Sequence, residues 1–465
     1  MTRRRWVRLD NASNIFLAAR TSSDPKVFRL SAEMDHEVDP QLLQRALDLT
    51  YDQYRLYRAV LRRGVFWYYL QDSDLRPVVT EENLHTCAPI YQADRRTLLF
   101  RVEHHRRRIV LEVFHALSDG TGALWFLTDL VTAYLRLRYP EQPPAAEPVH
   151  ELSLDSFAHY FRRRRDAAPR QAPVSALGSG AERDPGADVD RPAPWGLGRL
   201  RRASGTRVYR VRGTRTPDHR TRAVELTMPA PDVLALARAE GVSLTIYLTA
   251  LFFESVRRSS GDLGRARTLA ASVPVNLRQF FPSTSPRNFF ATVRVEHTYG
   301  DGPDDLGAIC RNLESQFRPK AAPEALETKL RRFIQFERTP ALRIVPRPLK
   351  DVILGVVNRI SNRSLTVAVS NLGRVTLPEP ADSHVRRMLF HVSAARPQFC
   401  AISHAGLLTV TFTSPFSETD HIREFARSLT ANGIDVVVAA ARVTEDELAE
   451  AEAGTDAGTD GEEKP

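Results

Sequence analysis

At 465 residues the chain exceeds what one hydrophobic core normally organises, so two lobes or domains are expected before any motif is read. With 42% hydrophobic and 26% charged residues, its composition is that of an ordinary water-soluble globular protein, and no apolar run reaches the length of a membrane span. The formal charge of +9 comes almost entirely from arginines scattered through every segment, which argues against a nucleic-acid surface. Cys87, Cys310 and Cys400 are widely separated, which argues against a disulfide framework or a zinc site, and no metal is expected. The start, Met1-Thr2-Arg3-Arg4-Arg5-Trp6, lacks an apolar signal core, so a cytoplasmic setting is expected.

Taken in order, the first strand signal is Val27 to Ala32. A helix is predicted next, with Asp39 as N-cap and Pro40 at the first helical position, and Leu43, Ala46, Leu47 and Thr50 on one face. Tyr57 to Leu61 and Val65 to Leu70 read as a hairpin around Arg62-Arg63-Gly64, and the aromatic run Phe66-Trp67-Tyr68-Tyr69 reads first as core packing. A second hairpin pairs Leu98 to Glu103 with Ile109 to Phe114 and delivers the chain to His115. Leu124, Leu127, Thr128, Val131 and Leu135 then fall at helical spacing, in a helix predicted to begin near Ala123. Between about Arg163 and Ser204 the periodicity disappears into Ala, Pro, Gly, Arg and Asp, the composition of a flexible crossing between lobes.

The second half opens with strands at Arg207 to Arg212 and Ala223 to Met228, then helices at Asp232 to Glu240 and Leu244 to Arg257. The second of these is apolar enough to be central. Strands are predicted at Thr268 to Val275 and Phe289 to Val295, and helices at Asp304 to Phe317, Pro323 to Glu337 and Leu349 to Ile360. The closing strands are Leu365 to Ser370, Phe399 to Ser403 and Leu407 to Thr413, followed by a helix at Asp420 to Leu429 and a strand at Ile434 to Ala439. From Thr444 onward the acidic tail is predicted to be disordered.

The chemistry concentrates in His115-Ala116-Leu117-Ser118-Asp119-Gly120, between an apolar strand and an amphipathic helix. Imidazole titrates close to neutral pH, so a histidine at a strand end is suited to take a proton from a hydroxyl or amine and release it within one turnover. His104 and His105 lie in a basic turn with no Asp-Gly after them and read as solvent-facing. His404, before Ala405-Gly406, reads as a hairpin-turn residue.

The motif and its surroundings resemble the CoA-dependent acyltransferase superfamily, which includes chloramphenicol acetyltransferase, peptide-synthetase condensation domains and alcohol O-acetyltransferases. Further matching blocks are Leu9-Asp10-Asn11-Ala12-Ser13-Asn14-Ile15-Phe16, then Val273-Pro274-Val275-Asn276-Leu277-Arg278-Gln279-Phe280-Phe281-Pro282 with Arg287-Asn288-Phe289-Phe290, and Val369-Ser370-Asn371-Leu372-Gly373-Arg374-Val375. Within the superfamily the chain looks most like bacterial alcohol O-acetyltransferase-like proteins.

The resemblance implies an α/β fold of two chloramphenicol acetyltransferase-like lobes, each a mixed sheet covered by helices, with a tunnel between them. The expected division is an N-terminal lobe over 1–162, a linker over 163–204, a C-terminal lobe over 205–443 and a tail over 444–465. His115 would be the general base, and Asp119 would pair with Arg278 to hold the loop. Gly120 and Gly122 would permit the tight turn before the helix. Ser370 and Asn371 would either stabilise an oxyanion or form a turn before Gly373.

Condensation domains usually carry a second histidine directly before the catalytic one, and here that position is Phe114. This departure shifts weight toward acyl-CoA as co-substrate and a small alcohol or amine acceptor, with no bound cofactor. A carrier-protein-bound donor and a non-catalytic binding scaffold remain as alternatives.

Overall fold

The computed structural model describes residues 6–9, 11–93, 95–140, 207–216, 220–264, 267–338 and 345–440. The expected linker over 163–204 and tail over 444–465 lie outside the described residues. Local signals act where expected: Asp39 accepts hydrogen bonds from the backbone N–H groups of Gln41 and Leu42 and so caps the helix that begins at Pro40.

In chain order the first half gives β1 (Trp6–Arg8), α1 (Asn11–Ala18), β2 (Val27–Met34), α2 (Pro40–Gln53), β3 (Ala59–Arg63), β4 (Tyr68–Asp72), β5 (Thr80–Glu81), β6 (Phe100–His105), β7 (Arg108–Phe114) and α3 (Gly120–Arg138). The second half gives β8 (Arg222–Pro229), α4 (Ala230–Ala239), α5 (Leu244–Ser259), β9 (Thr268–Asn276), β10 (Phe290–Thr298), α6 (Leu306–Ala321), α7 (Pro323–Arg338) and α8 (Arg347–Arg363). It closes with β11 (Val367–Arg374), β12 (Val385–Val392), β13 (Gln398–His404), β14 (Leu407–Ser414), α9 (Asp420–Ala431) and β15 (Val437–Ala440).

Among the described residues the strands form a five-stranded sheet ordered β12-β2-β7-β6-β5, a seven-stranded sheet ordered β10-β9-β11-β13-β14-β8-β15, and a small sheet β1-β4-β3. Both large sheets are mixed, since β5 runs parallel to β6, and β11 runs parallel to β9 and β13, among otherwise antiparallel neighbours. Two apolar cores result, one centred on α3 and the first sheet, the other on α5 and the second. Each lobe thus buries its own apolar face, which is what a chain of this length requires. Among the described residues no single helix is long and apolar enough to cross a membrane, and the apolar α5 is buried in the second core.

Three expectations need correction. The lobe division does not follow chain order, because β12, deep in the C-terminal half, pairs antiparallel with β2 and completes the N-terminal sheet. Its sequence conceals this, since Arg386, Arg387 and His391 interrupt the apolar pattern and its partner lies far away in sequence. Two of these groups are met within and across the lobes: Arg387 donates to Glu33 of β2 and to Thr227 Oγ1 of β8, His391 lies 3.5 Å from Glu225 of β8, and Arg108 of β7 binds Glu225 with two parallel bonds of 2.9 Å. Burial alone would raise the Glu225 carboxyl, but hydrogen bonds from His391 and Arg108 override it and hold it down at about 2.

The strand expected at Arg207 to Arg212 reduces to one bridge between Val208 and Thr268, at the end of β9 ahead of its short pairing with β11 at Ala271 and Ser272. Finally, α3 starts at Gly120, ahead of the expected Ala123, because the Asp119 side chain caps it by accepting from the Gly122 N–H.

Candidate active site

His115 follows β7 directly, and its backbone N–H donates to Lys26 O at 2.8 Å. Aromatic rings hold the imidazole. Phe16 of α1 stacks on it at 3.8 Å between centroids, Phe28 meets it edge-on at 5.1 Å, and Phe290 of the other lobe lies tilted at 5.8 Å. Nδ1 is enclosed with no hydrogen-bond partner, whereas the residue as a whole is only half-buried, so Nε2 is the nitrogen offered outward.

Burial disfavours the imidazolium and pushes the His115 pKa down to about 4, against smaller opposing pulls from its own backbone and from the Asp119 charge. The ring is therefore neutral at pH 7, with a lone pair available to accept a proton.

The loop after His115 is gripped from the second lobe. Asp119 Oδ1 accepts from the Gly122 N–H at 2.9 Å, and Oδ2 accepts from Arg278 Nη1 at 2.7 Å and from the Phe289 N–H at 2.8 Å. The Arg278 guanidinium spends its other terminal nitrogen on Ser285 O and Arg287 O, at 2.7 and 2.6 Å. Both partners of this ion pair are only 7% exposed, so solvent screens it little.

Asn288 Nδ2 donates to His115 O at 2.8 Å and to Ser13 Oγ at 3.0 Å, and Ser118 Oγ donates to Pro286 O at 2.5 Å. Residues 285–289 of one lobe therefore clasp residues 115–122 of the other from several directions.

The two glycines sit inside the first turn of α3, and at one of them the clasp forbids a side chain. A Cβ on Gly122 would come 2.1 Å from Pro286 O and 2.6 Å from Ser118 Oγ, whereas on Gly120 it would meet the movable tip of Leu372. Gly122→Ala is expected to cost about 1–3 kcal/mol through this backbone clash, read as a lower midpoint in chemical denaturation. A change of Gly120→Ala is expected to cost less than Gly122→Ala in the same measurement.

The remaining expected residues lie as follows. Asn371 is committed to structure: its Oδ1 accepts from the Gly373 N–H at 2.7 Å and its Nδ2 donates to Thr245 Oγ1 at 2.9 Å. Gly373 has φ +75° and sits where the register of β11 against β13 shifts between Asn371 and Arg374, so the Asn371 side chain supports an irregularity inside the strand. Ser370, its half-buried neighbour, aligns with Cys400 of β13. His404 pairs with Leu407 across the two-residue turn Ala405-Gly406, and its buried ring nitrogens lie 3.1 and 3.0 Å from Val375 O and Val385 O. His105 is exposed and His104 half-buried.

Among the described residues one cluster, Asp35, His36 and His384, could offer three ligand atoms to a metal ion. There the Asp35 carboxylate already lies 2.5 Å from His36 Nδ1 and 3.0 Å from His384 Nδ1, an internally matched network away from His115. Phe16, Asn288 and Phe290 join the site without having stood out individually in the sequence. All three lie within blocks that carried the resemblance, and that was the only available signal.

No protein-family model matches the sequence, and no curated protein matches it. Solved structures do. The first condensation domain of the calcium-dependent antibiotic synthetase superposes with a TM-score of 0.58 at 15% identity, covering 93% of this chain and 99% of that one. The TRI3 trichothecene 15-O-acetyltransferase from Fusarium sporotrichioides gives 0.56 at 11% identity, covering 92% and 94%. The epimerization domain of tyrocidine synthetase B gives 0.53 at 13% identity, covering 92% and 95%. Names this varied mean that the shared architecture does not by itself fix a reaction. The chain has the two-lobed, chloramphenicol acetyltransferase-like α/β fold that these structures share.

Proposed function

We propose that the protein is an acyltransferase that moves a short acyl group from acyl-CoA to the hydroxyl of a small acceptor, with His115 as general base, in a cytoplasmic setting. The observation that carries this reading is a neutral, desolvated imidazole, closed at Nδ1 and open at Nε2, fixed at the seam between lobes by the clasp from residues 285–289. The acceptor oxygen attacks the thioester carbonyl as Nε2 removes its proton. The C–O bond then forms, the C–S bond breaks, and the proton passes to the departing thiolate. A thioester is already activated, so one base suffices, and joint orientation of the substrates supplies much of the remaining rate.

Asp119 and Arg278 are positioning residues here, since the carboxylate faces backbone N–H groups and the guanidinium, away from the imidazole's open edge. A thioester tethered to a carrier protein would present the same electrophile, and the likeness to condensation domains keeps that donor as the second reading.

The test is free-thiol release from a panel of acyl-CoAs, with mixed alcohol and amine acceptors. Acceptor-dependent release supports the reading. Release only from carrier-bound thioesters would replace the donor, and release from neither would leave a binding scaffold.

The pH dependence supplies a second check. Because only neutral His115 can act as base, activity is lost as pH falls through its pKa. With that pKa at about 4, kcat/KM is expected to stay flat from pH 8 to pH 6 and to fall only well below pH 6. An acid limb near 6.5 would instead indicate a solvated imidazole and contradict the desolvated base.

A further inference from the structure

We propose that the outward face of α8, joined by the tip of the β3–β4 turn, seats the protein on an anionic phospholipid bilayer. The helix is built inside out. Two of its polar side chains point toward the protein: Tyr68 OH donates to Asp351 Oδ2 at 2.8 Å, and Lys350 Nζ donates to Phe66 O while lying 3.7 Å over the Trp67 ring. A Cβ on Gly355 would lie in contact with Ala18 O of α1, so that side is covered too.

The apolar side chains point the other way. Leu349, Val352, Val356 and Val357 are 53 to 62% exposed, with Ile353 and Ile360 next to them on the same stripe. Among this helix's residues none is buried. A soluble helix ordinarily turns such a stripe inward, and a contiguous exposed one marks an interaction surface.

A second element extends the patch. The Arg347 N–H donates to Val65 O at 3.1 Å, which fixes the β3–β4 turn beside the helix. At its tip Val65 is 71% exposed and Phe66 43% exposed, so the aromatic run read as core packing presents Phe66 to solvent instead.

Charge selects the occupant. Over Arg347–Arg363 the helix carries Arg359 and Arg363 at exposed positions, whereas Arg347 and Lys350 face the protein and the one acid, Asp351, is taken by Tyr68 and Arg347. Arg62 and Arg63 are exposed on β3 beside the turn. An apolar stripe flanked by basic residues suits the boundary between acyl chains and anionic headgroups. A second copy on the same face would bring these cations together with no unoccupied acid of the helix to meet them.

The experiment is co-sedimentation of the full chain with phosphatidylcholine vesicles, with and without phosphatidylglycerol. The wild type is expected to pellet with the anionic vesicles. Val352→Asp combined with Val356→Asp should weaken that association about tenfold or more, and Arg359→Glu should weaken it in a salt-dependent way. All three substituted positions are exposed, so thermal unfolding and acyl transfer to a water-soluble acceptor are expected to match wild type in both variants. Those two readouts also separate this inference from the acyltransferase reading. Absence of wild-type pelleting, or undiminished pelleting of the Val352→Asp, Val356→Asp protein, would overturn it. So would a dimer in light scattering that those substitutions abolish, because the face would then belong to a second copy.

Discussion

Replacing His115 by alanine is expected to reduce acceptor-dependent thiol release by about 10²–10⁴-fold, the contribution of a positioned general base. The fold should survive, because the bonds that anchor this point are made by backbone: the His115 N–H to Lys26 O, and Asn288 Nδ2 to His115 O. Nδ1 has no partner to lose. What alanine does remove is a ring packed among Phe16, Phe28 and Phe290, so some loss of unfolding temperature is expected from packing alone. His115→Phe separates the two effects, since it restores a ring against Phe16 without a proton acceptor. The phenylalanine protein should be as inactive as the alanine one while recovering stability. Turnover by His115→Phe near the wild-type rate would rule out the base.

Much of this architecture is legible because its signals are local. Asp39-Pro40 specifies a helix start through one side chain and one ring, and the alternation on either side of Arg106 specifies a hairpin through neighbours in sequence. His115 was visible for the same reason, as an isolated imidazole between a strand pattern and a helix pattern.

Elements defined by distant partners were not legible. In β12, Arg387 is tolerable because distant groups receive it, Glu33 lying 354 positions earlier and Thr227 160 positions earlier. Asn288 gives no local sign that it will hold the carbonyl of His115, 173 positions away. Asn371 shows another case: Ser-Asn ahead of a glycine with φ +75° reads as turn chemistry, but here it shapes an irregularity inside β11, with the Asn371 side chain bonded to Gly373 N–H and Thr245 Oγ1. The outward stripe of α8 was readable as amphipathic, but periodicity does not say which face meets protein.

Arg278→Ala is expected to destabilise the fold by about 3–5 kcal/mol, more than Gly122→Ala, because it strands an ionised partner away from water. Without the guanidinium, the Asp119 carboxylate keeps only the N–H groups of Gly122 and Phe289, and the carbonyls of Ser285 and Arg287 lose their donor. An exposed pair would behave differently, with a loss below about 1 kcal/mol, so a small effect in urea denaturation would overturn the assignment of this pair as buried and essential to the clasp. Asp119→Ala should destabilise similarly, because it also uncaps α3 and leaves Arg278 as an unpaired buried cation. The double variant should be less destabilised than the sum of the singles, since removing both charges removes the stranded one.

Arg278→Lys distinguishes charge from shape. A lysine keeps the charge but cannot reproduce a planar fork that reaches Asp119 Oδ2, Ser285 O and Arg287 O together. Under folded conditions it should lower kcat without moving the acid limb of the pH profile, because the proton acceptor is unchanged and only the loop that carries it is held less firmly. Asp119 and Arg278 would then act on the reaction through the position of His115, which places the catalytic geometry at the joint between two lobes instead of within either one.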